Sequence, residues 1–175
     1  MAQSVELLLD PLAEQRIRRE WQQLFDAGLP SELRTVPSGS HRPHITLYAA
    51  TAIPAAAEQT LPTLMTELDL TLRIGSCMFF GSGRGRFVLV RSVLVSTTLL
   101  ALQQQVVKAC APGGEAASIH HFGPGQWSPH VTMARRLDAA EAAAALELIG
   151  GSRAFPAHVT QCRRWDGTAR TDWLL

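Results

Sequence analysis

The chain has 175 residues, 46% hydrophobic and 18% charged, a balance that fits one soluble globular domain able to bury a core without metal or disulfides. Its 16 basic and 15 acidic side chains leave a formal charge of +1, too little to draw it onto long duplex nucleic acid, though local arginines could still hold a small phosphate or an RNA end. Three widely spaced cysteines, Cys77, Cys110 and Cys162, read as reduced thiols of a cytoplasmic protein, with no zinc spacing among them.

The opening MAQSVELLLDP lacks the basic and apolar segments of a signal peptide, and no apolar run reaches membrane-spanning length. Residues 5–9 read as a strand. Residues 12–25 carry apolar side chains at helical spacing, with Asp10 placed as N-cap and Pro11 at the first helical position. The Gly/Pro/Ser-rich GLPSELRTVPSGSHRP leads to the strand HITLYA, an Ala-rich helix over about 53–68, and the alternating strand LDLTLRIGSCMFF.

The second half repeats this order. Residues 87–90 read as a strand, 97–109 as a helix, APGGEAASIHHFGPGQWSP as a second long loop, HVTMAR as a strand and 139–149 as a helix; RAFPAHVTQCRRWDG and TARTDWLL form a terminal hairpin. Val5 precedes His44 by 39 positions and Val88 precedes His130 by 42, while His44 precedes Thr71 by 27 and His130 precedes Val159 by 29. Two intervals in step read as an internal duplication with approximate halves 1–83 and 84–175 of one bilobal domain. Both long loops deliver the chain to a histidine and are candidates for the rims of a binding site.

The repeat carries chemistry. Pro-His44-Ile45-Thr46-Leu47 returns as Pro-His130-Val131-Thr132-Met133. On a strand, His44 and Thr46 share one face while Ile45 and Leu47 turn into a core, and the second copy repeats that alternation. A third tripeptide, His158-Val159-Thr160, lacks the proline, and its counterpart around Thr71 carries no histidine. His158 is therefore expected on a solvated or half-buried face, outside the chemistry.

Two His-x-Thr-apolar motifs, each in a strand–helix–strand–helix half, resemble the two-histidine phosphoesterase superfamily, in particular its 2'-5' RNA ligase-like and 2',3'-cyclic phosphodiesterase branch. The resemblance spans nearly the whole chain, including VELLLDP and the helix after it. It implies an α+β fold of two pseudo-symmetric lobes, each an antiparallel sheet with helices outside, around a cleft to which each lobe contributes one motif. It also implies metal-free opening or forming of 2',3'-cyclic phosphates, or cleavage of 2'-5' bonds, with His44, Thr46, His130 and Thr132 as the catalytic set and no cofactor. The groups suit that chemistry: hydrolysing a cyclic phosphodiester needs a base for water and an acid for the departing ribose oxygen, and imidazoles divide those roles near neutrality. The threonine hydroxyls can steady the non-bridging oxygens. Which histidine is base and which acid stays open.

Further residues are candidate substrate contacts. Tyr48 follows His44 and Thr46 on one face, to stack on a base or else pack in the core. Arg42 and Arg135 flank the motifs as candidate phosphate ligands; a regular strand would put Arg135 on the apolar face, so it is expected to emerge at the strand end. Gly81-Ser82-Gly83-Arg84-Gly85-Arg86 lies between strands, the wrong context for a P-loop, so it reads as a flexible hairpin from which Arg84 or Arg86 could reach a substrate. His41, His120, His121 and Trp127 lie on the two loops, for base stacking or, with the motif histidines, a metal site. The expected partner is a small nucleotide or RNA terminus bearing a cyclic phosphate, and the protein is expected to be monomeric. The competing functions are a non-catalytic nucleotide or RNA-end binding module and a histidine-metal hydrolase.

Overall fold

The computed structural model describes residues 2–35, 41–66, 68–111 and 121–175. Seven strands and, among the described residues, four α-helices follow in the order β1 (Gln3–Leu9), α1 (Pro11–Asp26), β2 (His44–Ala50), α2 (Ala57–Met65), β3 (Leu70–Gly81), β4 (Phe87–Val93), α3 (Thr97–Cys110), β5 (His130–Leu137), α4 (Ala139–Ile149), β6 (Phe155–Asp166) and β7 (Thr171–Leu174), with a 3-10 turn at Glu32–Thr35. Each half thus supplies strand, helix, strand, helix, strand, as its hydrophobic periodicity requires.

Helix starts follow local chemistry. Asp10 accepts from the Leu12 and Ala13 amides and Pro11 opens α1; Ser96 caps α3; Asp138 and Glu141 form a reciprocal capping box on α4. Such caps are each worth about 1 kcal/mol. The second helix is shorter than the 53–68 expected, because it has no side-chain cap and carries Pro62 in its interior, where the ring removes an i→i−4 hydrogen bond.

The strands form one antiparallel sheet in the order β2-β1-β6-β3-β4-β5, with β7 added to β6. The arrangement expected as a sheet per lobe is a continuous ladder: the block β2-β1-β6 joins the block β3-β4-β5 through β6 and β3, where Leu70 pairs with Val159 and Ile74 with Phe155. The third strand of each half is thereby given to the other half's block. Helices are exchanged too, since α1 packs on β5 and α4 while α3 packs on β2 and α2. Between these layers lies the core, where Val5, Leu7, Leu9, Ile45, Leu47, Leu89, Val131 and Met133 meet Ile17, Trp21, Leu24, Leu61 and Leu99 of the helices.

Two ion pairs, one buried and one partly buried, tie the exchanged elements. Arg91 on β4 is 0% exposed and its Nε and Nη2 donate to the two carboxylate oxygens of Glu20 on α1 at 2.9 and 2.8 Å. Arg164 on β6 donates to Glu58 on α2 at 2.7 Å. Among the described residues, no buried side-chain nitrogen or oxygen lacks a hydrogen-bond partner.

Candidate active site

Strands β2 and β5 are the two ends of the sheet path, yet their Cα atoms come within 8 Å of each other. The two edge strands that carry the repeats therefore approach each other without pairing. Register is the same in both: His44 pairs with Leu8, Ile45 with Leu7 and Thr46 with Glu6, while His130 pairs with Ser92, Val131 with Arg91 and Thr132 with Val90.

The register then slips by one residue in both strands. Val5 pairs with Tyr48 and Leu89 with Ala134, so Leu47 and Met133 are the extra residues of matching β-bulges. Both pairs, Leu47 with Tyr48 and Met133 with Ala134, are buried. This corrects two expectations drawn from strict alternation. Tyr48 does not share the face of His44 and Thr46: it is 2% exposed in the core, its ring 5.5 Å from that of Phe122. Arg135 is returned to the motif face, where its Nη2 donates to Thr132 Oγ1 at 3.3 Å and its Nε to Glu32 at 2.9 Å.

The two imidazoles are held alike. His44 Nδ1 lies 2.7 Å from the Arg42 carbonyl and His130 Nδ1 lies 2.7 Å from the Ser128 carbonyl. A carbonyl can only accept, so each Nδ1 carries its hydrogen, and each Nε2 is left as the group that gains or loses a proton. Both rings and both threonine side chains are partly buried.

Two indoles brace the strands. Trp127, on the approach to β5, donates from Nε1 to the Thr46 carbonyl on β2 at 3.1 Å. Trp21, on α1, donates to the Thr132 carbonyl on β5 at 3.0 Å and stacks on His41 with centroids 5.3 Å apart. Trp127 therefore has a bracing contact in addition to its expected exposure to a ligand. Trp21 is not marked out by the sequence, because an aromatic residue at helical spacing reads as core.

Electrostatically the two rings differ. Glu6, 4% exposed on β1, places Oε1 at 3.6 Å from His44 Nε2 and receives Arg163 of β6 on Oε2 at 2.8 Å. Burial alone would raise the Glu6 carboxyl, but His44, Arg163 and the Ser4 hydroxyl bring it below its ordinary value. His130 faces no carboxylate at the matching position; the Phe80 ring meets it edge-on with centroids 4.9 Å apart. Burial pushes His130 below the ordinary imidazole value against the Ser128 hydrogen bond, and Arg135 and His44 push the same way. His41 is also lowered, by burial first, with Glu32 opposing.

The remaining candidates scatter. The Arg42 guanidinium is held by Glu14 of α1 at 2.6 and 2.9 Å. Arg84 and Arg86 lie on the β3–β4 hairpin, lining with Ser82, Gly83 and Arg136 an open cavity of about 470 Å³. Arg86 leans 3.7 Å from Glu141, and none of the described contacts joins this group to the motif histidines. His121 is exposed; His120 lies outside the described residues, as do 36–40 and 112–119 of the expected rims. His158 is exposed on β6 and shares a 3.1 Å hydrogen bond with Thr71. Among the described residues no three histidine, cysteine, aspartate or glutamate side chains are grouped to hold a metal ion, and no helix is long and apolar enough to cross a membrane.

An α+β chain in which both halves run strand, helix, strand, helix, strand on one antiparallel sheet, with a His-x-Thr strand at each end of the sheet path, belongs to the class of two-histidine phosphoesterases. The chain belongs to the 2'-5' RNA ligase superfamily, whose sequence model matches residues 10–166. In structure it is similar to TT0787 of Thermus thermophilus, with a TM-score of 0.61 and 17% identity over 100% of this chain and 95% of that one. It is also similar to Escherichia coli LigT complexed with 3'-AMP, with a TM-score of 0.54 and 16% identity over 99% and 96% of the chains. Kluyveromyces marxianus Usb1 gives a TM-score of 0.52 and 12% identity over 99% and 98%. No curated protein sequence matches significantly.

Proposed function

We propose that this protein is a metal-independent phosphoesterase that hydrolyses, or reversibly forms, 2',3'-cyclic phosphates or 2'-5' phosphodiester bonds at RNA ends or in small nucleotides, acting as a cytoplasmic monomer. The observation that carries the reading is the matched presentation of two Nε2 atoms, one from each edge strand, with both Nδ1 atoms committed to carbonyls. A neutral ring so held is a base at Nε2 and a charged one is an acid there, the pair of roles that in-line displacement at phosphorus needs. Thr46 and Thr132 supply hydroxyls on the same face for the non-bridging oxygens. Because Arg135 donates to Thr132 Oγ1, the threonine's own hydrogen is left for a substrate oxygen, and the guanidinium adds positive charge beside it. The near-neutral surface favours small substrates or RNA ends over long strands, and the similar structures solved with 3'-AMP and with uridine monophosphate agree with nucleotide ligands.

The test is turnover of 2',3'-cyclic nucleotides with and without EDTA. His44→Ala and His130→Ala should each lower kcat by about 10²–10⁴-fold, the usual worth of a positioned acid or base, and His158→Ala should leave it unchanged. Full activity in either motif variant would sink the assignment; loss of wild-type activity in EDTA would favour a metal enzyme, and binding without turnover a recognition module.

A further inference from the structure

The strand that opens with the second motif closes at a different kind of place. On its motif face β5 presents His130, Thr132 and Arg135 in turn, partly or fully exposed. At its far end Arg136 lines an open cavity of about 470 Å³ with Ser82, Gly83, Arg84 and Arg86 of the β3–β4 hairpin. We propose, building on the phosphoesterase reading, that this cavity holds a backbone phosphate of an RNA strand whose 3' end lies at the motifs, so that an RNA terminus is preferred over a free cyclic mononucleotide.

The charges around the cavity do not cancel. Arg86 is already engaged: its Nη1 donates to the Arg136 carbonyl at 3.1 Å and lies 3.9 and 3.7 Å from the carboxylates of Asp138 and Glu141. Those two carboxylates also form the capping box that starts α4. Arg84 and Arg136 remain, each exposed and with no hydrogen-bond or ion-pair partner for its side chain among the described residues. Two unmatched guanidiniums at the rim of one cavity suit a phosphodiester, whose non-bridging oxygens accept from their planar N–H forks.

The backbone marks the same two residues. Arg84 and Arg136 have φ of 50° and 62°, in the left-handed region that L side chains adopt rarely. Gly83 and Gly85 share it at 79° and 68°, in a turn closed by the Ser82 amide on the Arg86 carbonyl at 2.8 Å. Glycine or asparagine is the ordinary occupant of such positions. Arginine at two of them serves the fold no better than glycine would, and backbone outliers of this kind cluster where ligands are held.

Length decides which part of a substrate reaches the cavity. His130 and Arg136 are 136 − 130 = 6 positions apart on β5, about 20 Å at the rise of a strand. That interval is too long for one nucleotide. A stacked strand advances about 3.4 Å per nucleotide and covers it with about six, a stretched one with fewer. A terminal phosphate at the histidines and an upstream phosphate at Arg84 and Arg136 are thus held by one strand at once. Arg135, tied to Glu32 and Thr132, stays with the terminal group.

The test sets an oligoribonucleotide of about eight nucleotides, ending in a 2',3'-cyclic phosphate, against the cyclic mononucleotide. Arg84→Asn with Arg136→Asn removes both charges and keeps residues that tolerate positive φ. In this double variant the ratio of kcat/KM for the oligonucleotide to that for the mononucleotide should fall about ten-fold, through KM. Fluorescence anisotropy with the same RNA ending in a linear phosphate should show about ten-fold weaker binding. Its slope of log Kd against log salt should shrink by about 1.4, the loss of two phosphate contacts on a single strand. The control is Arg170→Asn, since Arg170 is also exposed and left-handed, with φ of 55°, but sits in the turn between β6 and β7; ratio and slope should stay where they are. An equal fall for both substrates, an equal effect of Arg170→Asn, or unchanged binding and slope in the double variant would each overturn the cavity as an RNA site. A wild type that turns over neither substrate would instead overturn the phosphoesterase reading, with anisotropy still deciding the cavity.

Discussion

The strand pairs β1/β2 and β4/β5 follow one another residue for residue through the motif and through the bulge after it, yet each uses its charge on a different side of the sheet. Next to the motif in β1, Glu6 is charged on the histidine face and Leu7 is apolar toward the helices; in β4 the corresponding residues are Val90 and Arg91. Arg91 turns to Glu20 and to backbone carbonyls of Gly75, Ile149 and Ser152. One half has put its buried ion pair where it touches chemistry, the other where it joins a helix to a strand. The two halves share the backbone geometry that presents both imidazoles and differ in what surrounds it.

The comparison can be broken most severely on its structural side. Glu20→Ala leaves Arg91 at 0% exposure without its countercharge, and removing one partner of a buried pair typically costs about 3–5 kcal/mol. Urea unfolding should show this loss, while a double change to apolar residues of similar size at both positions should recover much of it. Next in size are the motif hydroxyls. Thr46→Val and Thr132→Val should each lower kcat by about 10²-fold with little change in KM, as expected for donors that act on developing charge. If the halves are chemically unequal, the Thr132 change should also weaken the hold on Arg135, and Arg135→Ala in the Thr132→Val background should add less than it does alone.

Two smaller effects concern protons. His130 is held below the ordinary imidazole value of 6.5 by burial, so its ring should stay neutral to lower pH, and a histidine-resolved NMR titration should place its transition below pH 6.5. Glu6, Asp10 and Glu14 titrate below their ordinary values of 4.5, 3.8 and 4.5. In each, burial raises the carboxyl and stronger hydrogen bonds or charges bring it down. The unfolded chain then binds more protons than the folded one, so their stabilisation is complete above about pH 5 and is lost as the pH falls through the depressed folded values. Thermal unfolding followed from pH 7 to pH 3 should show a falling Tm, with a shallower fall in Glu6→Gln. The smallest effect is expected for Tyr48→Phe, which keeps the packing against Phe122 and should change kcat by less than about two-fold; a larger loss would return Tyr48 to the substrate.

Element order, the duplication and the motif strands are legible in the sequence because hydrophobic period, caps and repeated spacing are local properties. Asp10 and Pro11 announce α1, and the exposed, non-equivalent His158 is set aside by its position alone. What escapes depends on partners distant in sequence. Nothing in TLYA or TMAR betrays a bulge, which is set by how β2 and β5 pair with β1 and β4, so strict alternation assigns Tyr48 and Arg135 to the wrong faces. Glu6 sits in VELLLDP like any polar residue alternating in a strand, and its importance arises only when Thr46, His44 and Arg163 are brought beside it. The exchange of β3 and β6 between blocks is hidden for the same reason.

That exchange has a consequence for how the chain can be cut. Since each three-stranded block borrows a strand and a helix from the opposite half, fragments 1–83 and 84–175 each lack part of the core they would need to fold alone. Their junction, however, is an exposed turn at Gly83, Arg84 and Gly85, all with positive φ, where a break disturbs no buried contact. A chain severed there should behave as an obligate pair, its two pieces inert apart and assembling into a working whole when mixed.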